Sequence, residues 1–319
     1  MSKPLHGLVT LTPSPALDRT YRVPHLAIGE VNRATSVTEE FAGKGVNVSR
    51  NLSLSGIDAP AVVPLSARDR GILADDELIQ PAECAGRLRV NITAIDLDGE
   101  TTKINQAAPD LSGDEWDAMI EAADESLART QSSWLLVAGS FPAIDGGVPD
   151  VGALRSRFGE EVNIALDSSG EVFETWARSG LVDFVKPNVK ELGDAVGRTL
   201  HTLGDVVDAA REVASWGVSH VMVSMGADGF LGHAKGELWW ATCEPVEVRN
   251  TIGAGDASVS GFFDALLRDE GDLRGAVARA AQWGAQKVQQ STSQLTHLDK
   301  LPSVRVTGEI DTSRPVIAD

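Results

Sequence analysis

The C-terminal two-thirds of the sequence alternates short, nearly continuous apolar runs with amphipathic stretches of helical period. WLLVAGS (134–140), VNIALDSSG (162–170), LVDFVKPN (181–188) and HVMVSMG (220–226) each read as a buried strand ending in small or polar residues. Between them run helical patterns such as GDEWDAMIEAADESLART (113–130) and LGDVVDAAREVASWG (203–217). The second closes on Gly217, where a helix end favours a residue free to adopt positive φ. Strands that are apolar on both faces and separated by helices are best buried in a parallel sheet covered on both sides. The pattern therefore predicts a three-layer α/β/α core with a mostly parallel sheet. Ligands of such sheets bind beyond the carboxyl ends of the strands. Gly139-Ser140, Asp167-Ser168, Lys186-Pro187-Asn188 and Ser224 all fall at that edge.

The N-terminal third has a different texture. After one apolar strand, GLVTLTP (7–13), the segments TYRVPH (20–25), ATSVTEEF (34–41), RLRVNITAIDL (87–97) and TTKINQA (101–107) alternate or carry β-branched residues. DGE (98–100) is a hairpin signal between the last two, and GVNVSRNLSLSG (45–56) reads as a helix. The simplest arrangement is one domain over 1–319, with a small β-sheet lid from about 15–45 and 87–108 set on the α/β core.

Bulk properties narrow the function. At 319 residues the chain can bury a large core, and its net charge of −18 disfavours nucleic acid and anionic membrane as partners. The two cysteines, Cys84 and Cys243, are far apart and form no CxxC, which fits a reducing compartment. No signal-peptide pattern and no run of 18 apolar residues occurs, so a cytoplasmic location is expected.

Three motifs carry chemistry. In NTIGAGDASVSGFFDALL, the small residues Gly253, Ala254 and Gly255 run into a helix expected over roughly 257–268. Backbone N–H groups of such a turn, helped by the helix dipole, stabilise negative charge, and Asp256 stands beside them. Asp256 can equally be read as a helix cap. FAGKGVNVSR (41–50) places Gly43 and Gly45 around Lys44, with Asn47 and Arg50 on the first turns of a helix, which suits a phosphate or polyol; its alternative is a tight turn between lid and core. In KPNVKEL (186–192), Asn188 and Glu191 are three apart and can hold water around Mg²⁺, or they can form a capping box. SMGADG (224–229), a strand exit with two glycines, is weak by itself.

Together with AGSFP (138–142) and the opening TPSPALDRTY, these motifs in this order resemble the PfkB (ribokinase-like) family of carbohydrate kinases over about 8–291. ALDRTY, GEVNRATS, GKGVNVSRNLS and RVN are most similar to the branch that phosphorylates fructose 1-phosphate or tagatose 6-phosphate. The resemblance implies an ATP-dependent, Mg²⁺-dependent transfer to a phosphorylated ketohexose, most simply fructose 1-phosphate. Asp256 would be the base, with the amides of Gly253, Ala254, Gly255 and Asp256 around the transferring group. Asp18, Gly43, Lys44, Asn47 and Ser140 would line the sugar cleft, with Arg89, and Arg50 and Lys103, reaching the substrate's phosphate. Lys186, Asn188, Glu191 and Ser224, Gly226, Ala227, Asp228, Gly229 would face ATP, Asn188 and Glu191 would organise Mg²⁺, and Gln286 would lie beside the adenine. A homodimer through the lid is also implied.

Three departures bear on the substrate: Ala42 stands where the branch has glycine, Leu88 where it has threonine, and 66–86 is short and acidic, with Asp75, Asp76 and Glu77. Tagatose 6-phosphate, fructose 6-phosphate and an unphosphorylated polyol stay open as acceptors, as does a non-catalytic nucleotide-binding regulator. Asp167 is open to two roles, ordering the site or forming a turn. The six histidines (6, 25, 201, 220, 233, 297) show no metal spacing, and Trp116, Trp176, Trp216 and Trp283 read as packing residues; Trp239-Trp240 is open to packing beside the nucleotide.

Overall fold

A computed structural model describes residues 7–73 and 76–316. The N-terminal half supplies β1 (Gly7–Leu11), β2 (Ala16–Arg22), β3 (Ser36–Ala42), α1 (Lys44–Ser53), β4 (Ala61–Pro64), β5 (Ile79–Ala82), β6 (Arg89–Ile95) and β7 (Thr101–Asn105). Next come α2 (Gly113–Thr130), β8 (Ser132–Ala138), α3 (Val151–Phe158), β9 (Asn163–Asp167), α4 (Gly170–Arg178), β10 (Phe184–Val185) and α5 (Val189–Val196). The chain continues through α6 (Leu203–Ser215), β11 (His220–Ser224), β12 (Phe230–Ala234), β13 (Glu237–Cys243), α7 (Ala254–Arg268), α8 (Leu273–Val288) and β14 (Val304–Thr307).

Ten strands form one sheet in the order β14-β13-β12-β11-β10-β9-β8-β1-β4-β5. The seven from β11 to β5 are parallel, and β12, β13 and β14 extend one edge antiparallel, β14 returning after α7 and α8. Alternation within each strand builds two cores. Leu135 and Val137 of β8 pack with α2 to α6, while Trp134, Leu136 and Ala138 pack with α1, α7 and α8. The expected three-layer α/β/α architecture is what the chain forms. β4 and β5 are additions: the sequence pattern did not mark these four-residue strands, which are too short for a clear period.

The second sheet has four strands in the order β3-β2-β6-β7. One of its two inner strands, β2, begins at Ala16, earlier than TYRVPH suggests, because every residue from Ala16 to Arg22 is paired on both sides, with β3 and with β6. Asp18 therefore lies within a strand. The helix of the glycine turn also starts early: α7 begins at Ala254, so Asp256 is already its third residue.

One contact fixes where α1 sits. Thr10 Oγ1 and Ser49 Oγ are 2.8 Å apart in the core, and Gly45 lies so close to β1 that a Cβ there would collide with Thr12 Oγ1 and stand 3.1 Å from Thr10 Cβ. Gly45→Ala should lower the urea midpoint by an equivalent of about 1–3 kcal/mol, the usual cost of overpacking. Gly71→Ala, where a Cβ meets nothing within 4 Å, should leave the midpoint unchanged.

Candidate active site

Two helix N-termini converge on the carboxyl edge of the large sheet. Gly43 is the N-cap of α1, which carries Lys44 and Asn47; Gly253, with φ of 81°, is the N-cap of α7. A Cβ on Gly253 would collide with the Ser293 carbonyl, so the turn requires glycine there both sterically and conformationally. Asn47 Nδ2 donates to Asp256 Oδ2 at 2.7 Å, joining residues 209 apart in sequence. Asp256 does not cap its helix, since the N-cap is Gly253 and no side-chain cap bond is made. The carboxylate points instead at α1.

Asp167, at the end of β9, holds the other side. Its Oδ1 accepts from Lys44 Nζ at 3.0 Å and lies 3.5 Å from Lys186 Nζ, while its buried Oδ2 has no hydrogen-bond partner. Lys186 reaches the glycine turn as well, since a Cβ on Gly255 would stand 3.9 Å from its Nζ. Two carboxylates and two ammonium groups thus share one largely buried space.

Their protonation behaviour differs by environment. Burial opposes the charge of Asp167, but Lys186 and Lys44 outweigh it and hold its carboxyl below the ordinary range. Lys44 is likewise penalised by burial, yet Asp167 and Asp256 hold its ammonium above the ordinary lysine range. Asp256 goes the other way. Burial pushes it up to about 6, with Asp167 adding to the rise, against the pull of Lys44, the Asn47 bond and Lys186. A carboxylate poised there can accept a proton near neutral pH.

The remaining candidates divide. Asn188 and Glu191 form the capping box of α5: Asn188 Oδ1 accepts from Glu191 N at 2.7 Å, and Glu191 Oε2 accepts from Asn188 N at 2.9 Å. This leaves Glu191 Oε1 and Asn188 Nδ2 without a protein partner among the described residues, and among those residues no three His, Cys, Asp or Glu side chains form a metal cluster. Ser224 is tied beside them by its N–H to Pro187 O, and Gly226, Ala227 and Asp228 form a tight turn ended by Gly229. Trp240 supports that turn by donating Nε1–H to Asp228 O at 2.8 Å, and Arg314 pairs with Asp228. Ser140 is exposed just past β8.

Asp18 is half-buried on β2 and accepts from Asn91 Nδ2 at 2.9 Å. Arg89 donates to the carbonyls of Ser14, Pro15 and Gln106, stapling β6 to the loop after β1. Two expectations, those on Arg50 and Gln286, are altered. Arg50 is bound to Phe41 O at 2.6 Å and to Asp76 at 3.1 Å, so its guanidinium anchors the base of the small sheet. Lys103 is exposed on the edge strand β7 and makes no hydrogen bond or ion pair among the described residues. Gln286 is buried in α8 with its amide committed to Asp299 O and His297. The acidity of 66–86 is also partly absorbed: Asp76 pairs with Arg50, Glu77 is exposed, and Asp75 lies outside the described residues.

The sequence model of the pfkB family carbohydrate kinases matches residues 15–300. The chain belongs to the PfkB family of carbohydrate kinases. It is 35% identical over 289 residues to a 1-phosphofructokinase of Haloferax volcanii, covering 86% of this chain and 90% of the relative. A 1-phosphofructokinase of Escherichia coli K12 is 32% identical, with 86% and 89% covered. The crystal structure of Escherichia coli phosphofructokinase-2 in complex with potassium superposes with a TM-score of 0.82 at 28% identity, covering 92% of this chain and 96% of that one. In PfkB terms, the motifs do not nominate Lys287, which lies near Asp256, or Glu40, which lies near Lys287. For Lys287 a signal exists: Ala276, Ala280, Trp283 and Lys287 recur at helical spacing on one buried face.

Asp167→Asn should destabilise the protein by about 3–5 kcal/mol in chemical denaturation, because it leaves Lys186 buried without its carboxylate partner, while Lys44 is exposed enough to turn to water. The wild type's contribution from this carboxylate should be present at neutral pH and lost on acidification below its ordinary range, since its folded-state pKa is lowered.

Proposed function

We propose that the protein transfers the γ-phosphoryl group of ATP to fructose 1-phosphate, giving fructose 1,6-bisphosphate and ADP. The observation that carries the reading is the placement of Asp256 between the glycine turn of α7 and the Lys44–Asn47 arm of α1. The names of the relatives support the choice of sugar.

Asp256 accepts the proton of the acceptor hydroxyl, and Asn47 and Lys44 hold its carboxylate in place. The N–H groups at the start of α7, with Lys186 beside them, stabilise charge on the phosphoryl group in flight. Asp18, Gly43 and Ser140 line the sugar, and Arg89 fixes the strand that carries Asn91 toward it. Ser224 to Gly229 lie along the nucleotide. A kinase needs Mg²⁺ on the triphosphate, and one or two carboxylates with water are what that ion requires. Glu191 Oε1 fits this, held in place because Asn188 Oδ1 accepts from Glu191 N, as does the unpartnered Oδ2 of Asp167; when bound, the ion would neutralise phosphate charge.

The four-stranded sheet acts as the lid that excludes water from the site. Ile28, Val31, Val37, Leu97 and Ile104, all large and exposed, belong to this sheet or its loops, which supports its pairing with a second copy. No helix among the described residues is long and apolar enough to cross a membrane. The two cysteines are unpaired, as in a reducing compartment.

A panel of fructose 1-phosphate, fructose 6-phosphate, tagatose 6-phosphate and free polyols, assayed by ADP release, decides the acceptor. Turnover on fructose 1-phosphate is expected; turnover on none favours a nucleotide-binding regulator. Asp256→Asn should lower kcat by about 10²–10⁴-fold or more. The same substitution should raise stability at pH 7, because a carboxyl whose folded pKa exceeds its unfolded value destabilises the native state above that range. Light scattering should give a dimer mass, and Ile104→Glu should shift it toward the monomer; an unchanged single monomer mass in the wild type would sink the pairing.

A further inference from the structure

One charged side chain near the turn has no part in the mechanism so far. Lys287, in the last turn of α8, is fully buried. It continues the apolar face of Ala276, Ala280 and Trp283, where a methionine would fill similar volume without the cost of burying a charge. Its Nζ donates to Asn250 O at 3.3 Å, and its Cε would stand 3.5 Å from a Cβ on Gly253, directly behind the glycine turn. The surroundings are rich in carbonyls. Val288 O accepts from the N–H groups of Arg249 and Asn250, and Ser291 O and Thr292 O accept from Asn250 Nδ2.

We propose that Lys287 is a built-in cation behind the phosphate-binding turn, a positioning residue whose ammonium fixes the Asn250–Gly253 backbone and adds positive charge where the transferring group passes. The inference rests on the kinase reading above. An ammonium offers three N–H donors, and the protein fills one of them. The carbonyl end of α8 favours a cation in its last turn, while the amide end of α7 needs its field reinforced rather than cancelled. Lys287 meets both demands because it sits between the two. The acidic groups that face it are Asp256 of α7 and Glu40 of β3, and Glu40 is itself held by Ser293 Oγ at 2.9 Å. Burial pulls the Lys287 ammonium down to about 8, against the pull of Asp256 and Glu40, so its charge is lost as pH rises through that value.

The test uses the full chain with ATP and the sugar it turns over. Lys287→Met should lower kcat by about tenfold or more, short of the 10²–10³-fold of a lost direct donor, with sugar KM within about twofold. Wild-type kcat should fall above about pH 8, and that limb should be missing in Lys287→Met. Lys287→Ala should recover part of its rate when ammonium or potassium chloride is added, with sodium chloride as the ionic-strength control. Full kcat in folded Lys287→Met, or a loss with the alkaline limb retained and no rescue of Lys287→Ala, overturns the proposal. Should Lys287→Met fail to fold, the wild-type profile and the Lys287→Ala rescue decide, and a flat profile without rescue overturns it. A wild type that turns over no sugar withdraws the kinase reading itself, and this inference with it.

Discussion

A buried carboxylate at the end of β9 holds two lysines from opposite sides of the site. Lys44 comes from α1 and Lys186 from the strand exit after β10, and both meet Asp167 Oδ1. The ammonium of Lys186 could not be buried there unpaired without a penalty of several kcal/mol. Asp167 therefore fixes the mouth of the sheet, the start of α1 and, through Asn47, the carboxylate of Asp256. The parallel topology makes this economical in chain length, because every strand delivers its carboxyl end to the same edge.

The same residue type takes two roles only about one side chain apart. Asp167 sits between two lysines and stays ionised; Asp256 is buried with weaker compensation and is drawn toward neutral pH. Two neighbouring carboxyls pushed apart in this way are what a site needs to keep one as a fixed charge and the other as a proton acceptor. The cost falls on stability, since Asp256 is less favourable folded than unfolded at pH 7.

Much of this was legible from periodicity. Continuous apolar runs ending in polar residues gave the parallel sheet and its functional edge, and α2 was bounded correctly at both ends because Ser112 and Glu115 form a capping box and Gln131 closes the helix. Local motifs do not reveal long-range contacts, however. Nothing around Asn47 announces Asp256, 209 residues away, nor that Arg50 would be used to hold Phe41 O and Asp76 rather than a ligand. Asn188 and Glu191 show the opposite limit. Their spacing suits a capping box and a water-held cation alike, and the structure shows that the cap uses only half of their polar atoms.

The small sheet and the loop against Gly253 are physically joined by one strand. β3 ends at Ala42, one residue before the N-cap of α1, and its penultimate residue, Phe41, gives its carbonyl to Arg50 of that helix. Glu40, the residue before, reaches across to Ser293 in the loop that lies against Gly253. The small sheet thus contacts both helix N-termini: α1 through covalent continuity and Arg50, and α7 through Glu40, Ser293 and the glycine turn. The Ser293 carbonyl lies where a Cβ on Gly253 would stand, so only glycine lets this loop pack against the turn. The helix N-termini that frame Asp256 are therefore both in contact with the one strand, β3, that carries the edge of the small sheet.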